Sequence, residues 1–269
     1  MTRPHSRPRR QAIVEMLGLM GILMGGALLA GQGGQSLARS IVAAGPIPLP
    51  QRPRSLSSQE PPPPPPRPEN VSALDRNLIT AASLGDTDLV NRLLYAGASP
   101  LAVDERGRTA LLSALYNRRG EAARVLILAG ADVNRKDADV NSAFLVASAT
   151  GQVDIVRLSL SHGADLNSTD RYDGTALIAA AQHGNTEVVR MLLKSGIAVD
   201  HVNQLGWTAL LEAVILGDGS SRYEEIVQLL LDAGADANLP DREGISPTRH
   251  ARDRGYKTMV RMLMRARGH

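Results

Sequence analysis

Cysteine is absent from this chain of 269 residues. Neither a disulfide framework nor a thiolate metal site can form. The absence fits an oxidising compartment without requiring one. Aromatic residues are scarce: one Trp, one Phe and five Tyr. The core is therefore expected to be aliphatic, built from Leu, Val, Ile and Ala. The apolar run Met16–Ala30 is 15 residues long, short of the roughly 20 that span a bilayer. A catalytic constellation is also missing. The six histidines, His5, His162, His183, His201, His250 and His269, include no pair three or four residues apart. A helical metal site would need that spacing and an acidic partner. Gly31-Gln32-Gly33-Gly34 lacks the Lys of a phosphate loop. No Ser stands in a nucleophile elbow. We expect no catalytic residue, no cofactor and no metal.

Charge is present but segregated. Residues 71–248 carry 15 basic and 23 acidic side chains, a balance of −8. Residues 249–269 carry seven basic residues and one Asp, a balance of +6. An acidic body with a basic end does not suit nucleic acid, which calls for a basic face along the binding surface. The basic end reads as a solubilising cap or as a contact for anionic headgroups or an acidic protein.

The first 70 residues differ from the rest. Arg3, Arg7, Arg9 and Arg10 precede the apolar run, and small residues follow it, with Ser36-Leu37-Ala38 or Ala30 as cleavage sites. That order is the layout of a secretory signal. Three readings stay open: a cleaved signal over 1–38, an uncleaved anchor tethering the chain through residues 12–30, and an ordinary helix. Residues 39–70 hold Pro61–Pro66 and read as a disordered, polyproline-rich spacer.

From residue 71 the sequence repeats. Gly97, Gly130, Gly163 and Gly196 are 33 apart, and Gly234 follows at 38. Thr109-Ala110-Leu111, Ser142-Ala143-Phe144, Thr175-Ala176-Leu177 and Thr208-Ala209-Leu210 keep the same beat. A fixed period of this size means stacked units sharing one continuous core. Within a unit we expect a turn, an inner helix capped by Thr or Ser, a reversal, an outer helix, and a glycine stop. In the second unit the helices should cover about 109–116 and 121–129. Leu78, Leu111, Phe144, Leu177 and Leu210 form one apolar row, and small Ala81, Ala114, Ala147, Ala180 and Ala213 another.

These words resemble the ankyrin repeat. Gly130-Ala131-Asp132-Val133-Asn134, Gly163-Ala164-Asp165-Leu166-Asn167 and Gly234-Ala235-Asp236-Ala237-Asn238 match its ending, and Gly206-Trp207-Thr208-Ala209-Leu210 its opening, with Ala for Pro. The resemblance covers about 71–266 of a domain placed at 71–269, in six units beginning near 71, 104, 137, 170, 203 and 241. It implies an all-α solenoid of stacked helix-turn-helix units with β-hairpin-like loops. It also implies a non-catalytic module that binds a protein partner through hairpin tips and the concave inner-helix face. Together with the export signal, the chain looks like a bacterial exported (periplasmic) ankyrin protein, or one anchored in the inner membrane facing the periplasm, and a monomer. Alternatives are a regulatory subunit of a periplasmic enzyme and a secreted effector that binds a host protein.

Departures from the pattern carry expectations of their own. Leu112, Leu145, Ile178 and Leu211 stand where it has His. Arg118 replaces the glycine that Gly85, Gly151, Gly184 and Gly217 supply, and Val140-Asn141 stands where a turn glycine belongs. Ser159 interrupts the row Leu93, Leu126, Leu192, Leu230, Leu263. The middle of the stack should be its weakest part. Register places Tyr116, Tyr172, His183, Leu205, Trp207, Ile215 and Leu216 on the binding side. Within that set Tyr172, Leu205, Trp207, Ile215 and Leu216 form a candidate hot spot; alternatively Trp207 folds onto the next hairpin and fills a gap. Five extra residues within Asp218–Glu224 mark a partner contact or a tolerated loop.

Overall fold

The structure is a computed structural model that describes residues 72–266. The expected signal or anchor (1–38), the proline-rich linker (39–70) and Arg267 lie outside the described residues. Among these there are twelve helices and no strand beyond two isolated bridges, Val103 with Thr109 and Thr169 with Thr175, inside hairpin turns. The helices alternate inner and outer: α1 (Ala73–Leu84), α2 (Thr87–Tyr95), α3 (Ala110–Tyr116), α4 (Gly120–Leu128), α5 (Ala143–Thr150), α6 (Val153–Ser161), α7 (Ala176–Gln182), α8 (Thr186–Leu193), α9 (Ala209–Leu216), α10 (Ser221–Asp232), α11 (Pro247–Asp253) and α12 (Lys257–Ala266). Each inner helix packs on the next inner helix, and each outer helix on the next outer one.

The inner helices start where hydroxyls are. Thr109, Ser142, Thr175, Thr208 and Ser246 each accept a hydrogen bond from the backbone N–H three residues on, which satisfies one of the free donors at a helix start. Short inner helices of seven or eight residues would not hold alone. Their stability comes from burial on nearly every side. Leu78, Leu111, Phe144, Leu177 and Leu210 are all buried in one continuous core with the alanine row. Leu112, Leu145, Ile178 and Leu211 are buried as well, so apolar packing takes the place of polar pairing there.

The outer helices α4, α6 and α8 lack a side-chain cap at their start. Their cap residues reach back to the previous unit instead. Asn185 Nδ2 donates to the Ser148 and Ala149 carbonyls at 2.9 Å. Gln152 Nε2 donates to the Leu115 carbonyl at 3.2 Å, and Arg119 Nε to the Ser83 carbonyl at 3.4 Å. The inner helices α1, α3 and α5 thus have carbonyls at their ends satisfied by the following unit, and capping becomes a between-unit bond. Gly151 makes room for this: a Cβ there would stand 2.7 Å from Asn185 Oδ1.

The expected weak points fall in and beside the third unit. Arg118, at the end of α3, adopts φ 56°, the left-handed conformation that Gly85, Gly151 and Gly184 adopt at the same register. Gly217 differs: its φ is −62°, so the five-residue insertion turns the chain another way. Val140 adopts φ 63° where Gly107, Gly206 and Gly244 stand in other turns. For a β-branched residue that conformation is strained. Ser159 is fully buried, and its hydroxyl has no hydrogen-bond partner. We expect Val140→Gly and Ser159→Ala each to stabilise the domain by about 1 kcal/mol, read as a raised urea midpoint. Unchanged midpoints would mean that neither site is strained.

The insertion does not project as a free loop. It lengthens α10 to 12 residues and buries Tyr223, whose hydroxyl donates to the Gln182 carbonyl at 2.9 Å. Tyr256 does the same one unit on, donating to the Gly217 carbonyl at 2.9 Å.

Candidate protein-interaction surface

Five hairpin tips are built on one device. Asp104, Asp137, Asp170, Asn203 and Asp241 each accept hydrogen bonds from the backbone N–H groups two and four residues later, at 2.8–3.1 Å. A side-chain oxygen thereby holds each tip in a fixed turn. Backbone bonds then join neighbouring tips: Ala138 N–H to the Arg106 carbonyl at 2.9 Å, and Gln204 N–H to the Tyr172 carbonyl at 2.8 Å. The tips of the second and third units, and those of the fourth and fifth, are thus tied in pairs along one edge.

The second side-chain atoms of Asp137, Asn203 and Asp241 find different partners. Tyr116 donates its hydroxyl to Asp137 Oδ2 at 2.7 Å. Burial and this hydrogen bond push the Tyr116 phenol up from its usual range. His250 and Asp241 pair at 2.7 Å. Asn203 Nδ2 donates to Glu212 Oε1 at 3.0 Å. Glu212 is fully buried, and its Oε2 has no hydrogen-bond partner. Burial, with the Asp170 carboxylate adding a like charge, pushes its pKa to about 8. Glu212 and His250 occupy the same place in their units, nine residues after the tip residue. A carboxyl there calls for a donor at the tip, which explains Asn203 where the other tips have Asp.

The side chains expected at a hot spot divide. Tyr172 and Leu205 sit on adjacent, bonded tips and are half-buried, as are Trp207 and Leu216. Ile215 is not available: it is 3% exposed. Helix α9 lies between α7 and α11 with α10 behind it, and seven of its eight residues are buried. His183, half-buried at the end of α7, has its pKa lowered by burial and by Arg118. Tyr116 is half-buried, with Arg108 stacked 4.7 Å from its ring centre. Among the described residues no group of three His, Cys, Asp or Glu could hold a metal, and no helix is long and apolar enough to cross a membrane.

Comparison with known proteins agrees with this geometry. The family description "Ankyrin repeats (3 copies)" matches residues 143–241, and "Ankyrin repeats (many copies)" matches 78–127. The ankyrin repeat protein YahD of Escherichia coli K12 is 34% identical over 198 residues, covering 73% of this chain and 98% of its own length. The chain belongs to the ankyrin repeat family. Among solved structures, an ankyrin repeat domain from Acinetobacter baumannii AYE is 51% identical and covers 70% of this chain and 96% of its own, with a TM-score of 0.68. The ankyrin repeat protein EF0377 is 37% identical with a TM-score of 0.67, covering 71% of this chain and 97% of its own. Ankyrin repeats are generally protein-protein interaction modules, and the fold is a non-catalytic one. In this ankyrin stack the buried Glu212 and the between-unit caps were not read from the sequence. A signal for Glu212 exists: it is the one charged residue inside the otherwise apolar segment 209–216.

Proposed function

We infer that this ankyrin protein is a non-catalytic binding module that captures one protein partner along its hairpin tips and the ends of its inner helices. The observation that carries the reading is the tip edge itself. Rigid turns joined by backbone bonds present Tyr172, Leu205 and Trp207 half-exposed side by side in sequence register. A surface fixed in advance loses little entropy on binding, and aromatic anchors dominate interface energy. The basic-apolar-small order of residues 1–38 supports export across the inner membrane, with the proline tract as a spacer and the stack in the periplasm. A tether through residues 12–30 and a monomeric state belong to the same reading. A regulatory role beside a periplasmic enzyme would use the same surface.

Crosslinking in intact cells, followed by identification of the captured protein, tests the reading. Trp207→Ala is expected to reduce capture at least tenfold, on the scale of an interface hot spot, with an unchanged melting temperature. Undiminished capture by the folded variant would remove Trp207 from the surface. N-terminal sequencing of the mature protein tests export: a start after residue 30 or 38 supports a cleaved signal.

A further inference from the structure

The tips of the second, third and fourth units bring three guanidinium groups to one half-buried carboxylate. Arg106 Nη2 lies 3.1 Å from Asp139 Oδ2, Arg108 Nη2 lies 3.9 Å from the same oxygen, and Arg171 Nη2 pairs with Asp139 Oδ1. Arg171 Nε also donates to the Asp139 carbonyl at 3.4 Å. Two arginines are enough to clamp Asp139 between its neighbours. The third has another placement. Arg108 is stacked on Tyr116, which is itself anchored to Asp137. Its Nε is buried without a hydrogen-bond partner and lies 3.8 Å from Asp137 Oδ2. That oxygen already accepts from Tyr116, while Asp137 Oδ1 holds the Asp139 and Asn141 N–H groups. Asp139 is thus the only carboxylate at the centre of the group that faces solvent, at 33% side-chain exposure.

Each guanidinium has five N–H donors in a planar fork suited to carboxylates, so three of them far exceed what Asp139 can accept. Arg106 and Arg171 remain 56% and 37% exposed, with their unused N–H groups on the tip edge. Part of the acidity of the domain lies on the outer helices. Asp88, Glu121, Asp154, Glu187 and Glu224 occupy the first turns of the outer helices, where they complement the helix dipole. The nearby acidic side chains have other roles: Asp104 and Asp170 hold their own turns, Asp173 lies 3.8 Å from His201, and Glu105 flanks the group on the exposed tip.

We propose that Arg106, Arg108 and Arg171 form a seat for the side-chain carboxylates of an acidic segment of the partner protein. The inference rests on the tips being the partner surface, and it supplies the partner's chemistry. Asp139 holds the forks in place and mimics the first carboxylate of the ligand. Tyr172, Leu205 and Trp207 follow one to two units further along. Helices packed about 8–10 Å apart and a strand rise of about 3.3 Å per residue space the carboxylates and an apolar anchor about three to six residues apart. The partner segment is therefore extended, with aspartates or glutamates at one end and a leucine or aromatic residue at the other.

Fluorescence anisotropy with the full chain tests this. The probe is a labelled decapeptide of four consecutive glutamates followed, four residues on, by Leu-Phe. Its comparator has glutamine for every glutamate. The glutamate peptide is expected to bind at least tenfold tighter than the glutamine peptide, and 0.5 M salt should abolish most of the difference. Arg106→Ser/Arg171→Ser should remove it, Arg106→Ser alone should weaken binding three- to fivefold, and Arg157→Ser on outer helix α6 should change nothing. Equal binding of the two peptides, including none for either, overturns the proposal, as does wild-type affinity in the double variant or in Arg106→Ser. Inorganic phosphate that competes at sub-millimolar concentration, with no preference for the glutamate peptide, would assign the seat to phosphate and equally overturn it. None of these failures touches the wider reading, which is tested separately by capture of a partner in intact cells.

Discussion

Raising the pH from 4.5 to 9 should destabilise this ankyrin stack, and Glu212→Gln should abolish most of that loss. Glu212 is buried in α9 with one oxygen bonded by Asn203 and the other without a partner. Its folded pKa is about 8 against an ordinary value of 4.5, so the folded state prefers the neutral acid. A raised folded pKa means the contribution to stability is complete below 4.5. It is lost progressively as the pH rises through about 8, because the unfolded chain gives up its proton first. At about 1.36 kcal/mol per pH unit between the two values, the loss is of the order of 5 kcal/mol. In Glu212→Gln the amide oxygen still accepts from Asn203 and no charge can form. Urea titrations at pH 5 and pH 9 check this: the wild-type midpoint should fall between them, and the Glu212→Gln midpoint should stay nearly level. A wild-type midpoint that rises with pH would show that Glu212 is ionised in the fold.

Phe144→Ala should cost about 3–5 kcal/mol, the usual range for deleting a buried phenylalanine. Phe144 is the only phenylalanine in the chain, and it is fully buried in the third of the five inner positions at 33-residue spacing. It shares a core with Leu111 and Leu177 of the adjacent units. In a stack each unit is held chiefly by its neighbours, so weakening the middle one uncouples the two halves. The variant is expected to unfold in two steps where the wild type unfolds in one. Hydrogen exchange should show the first step in residues 137–169. A single, unshifted transition would mean that the units do not depend on one another through this row.

The stack was legible because its determinants are local and recur. The apolar and alanine rows, the Thr and Ser caps and the closing glycines mark element boundaries wherever they occur. The helix expected at about 109–116 runs over Ala110–Tyr116 and its partner, expected at 121–129, over Gly120–Leu128. The irregular positions were legible for the same reason: Arg118 stood out against four glycines, Val140 against three and Ser159 against five leucines, and they prove left-handed, left-handed and unpartnered. What the sequence hid depends on contacts between units. Asn185, Gln152 and Arg119 look like ordinary helix starts, and only the neighbouring helix end shows what they cap. Ile215 reads as exposed by register, yet three helices cover α9. The Glu212–Asn203 pair is a local spacing of nine residues, but its meaning emerges beside Asp241–His250, where the donor and acceptor are exchanged.

We propose that the tip edge, and not the outer-helix side, receives the partner. A photoreactive amino acid placed singly at Leu205, on a tip, and at Leu128, exposed at the end of outer helix α4, would test it in intact cells. A discrete crosslinked protein is expected from position 205 and none from position 128. Capture from position 128 with none from position 205 would contradict it.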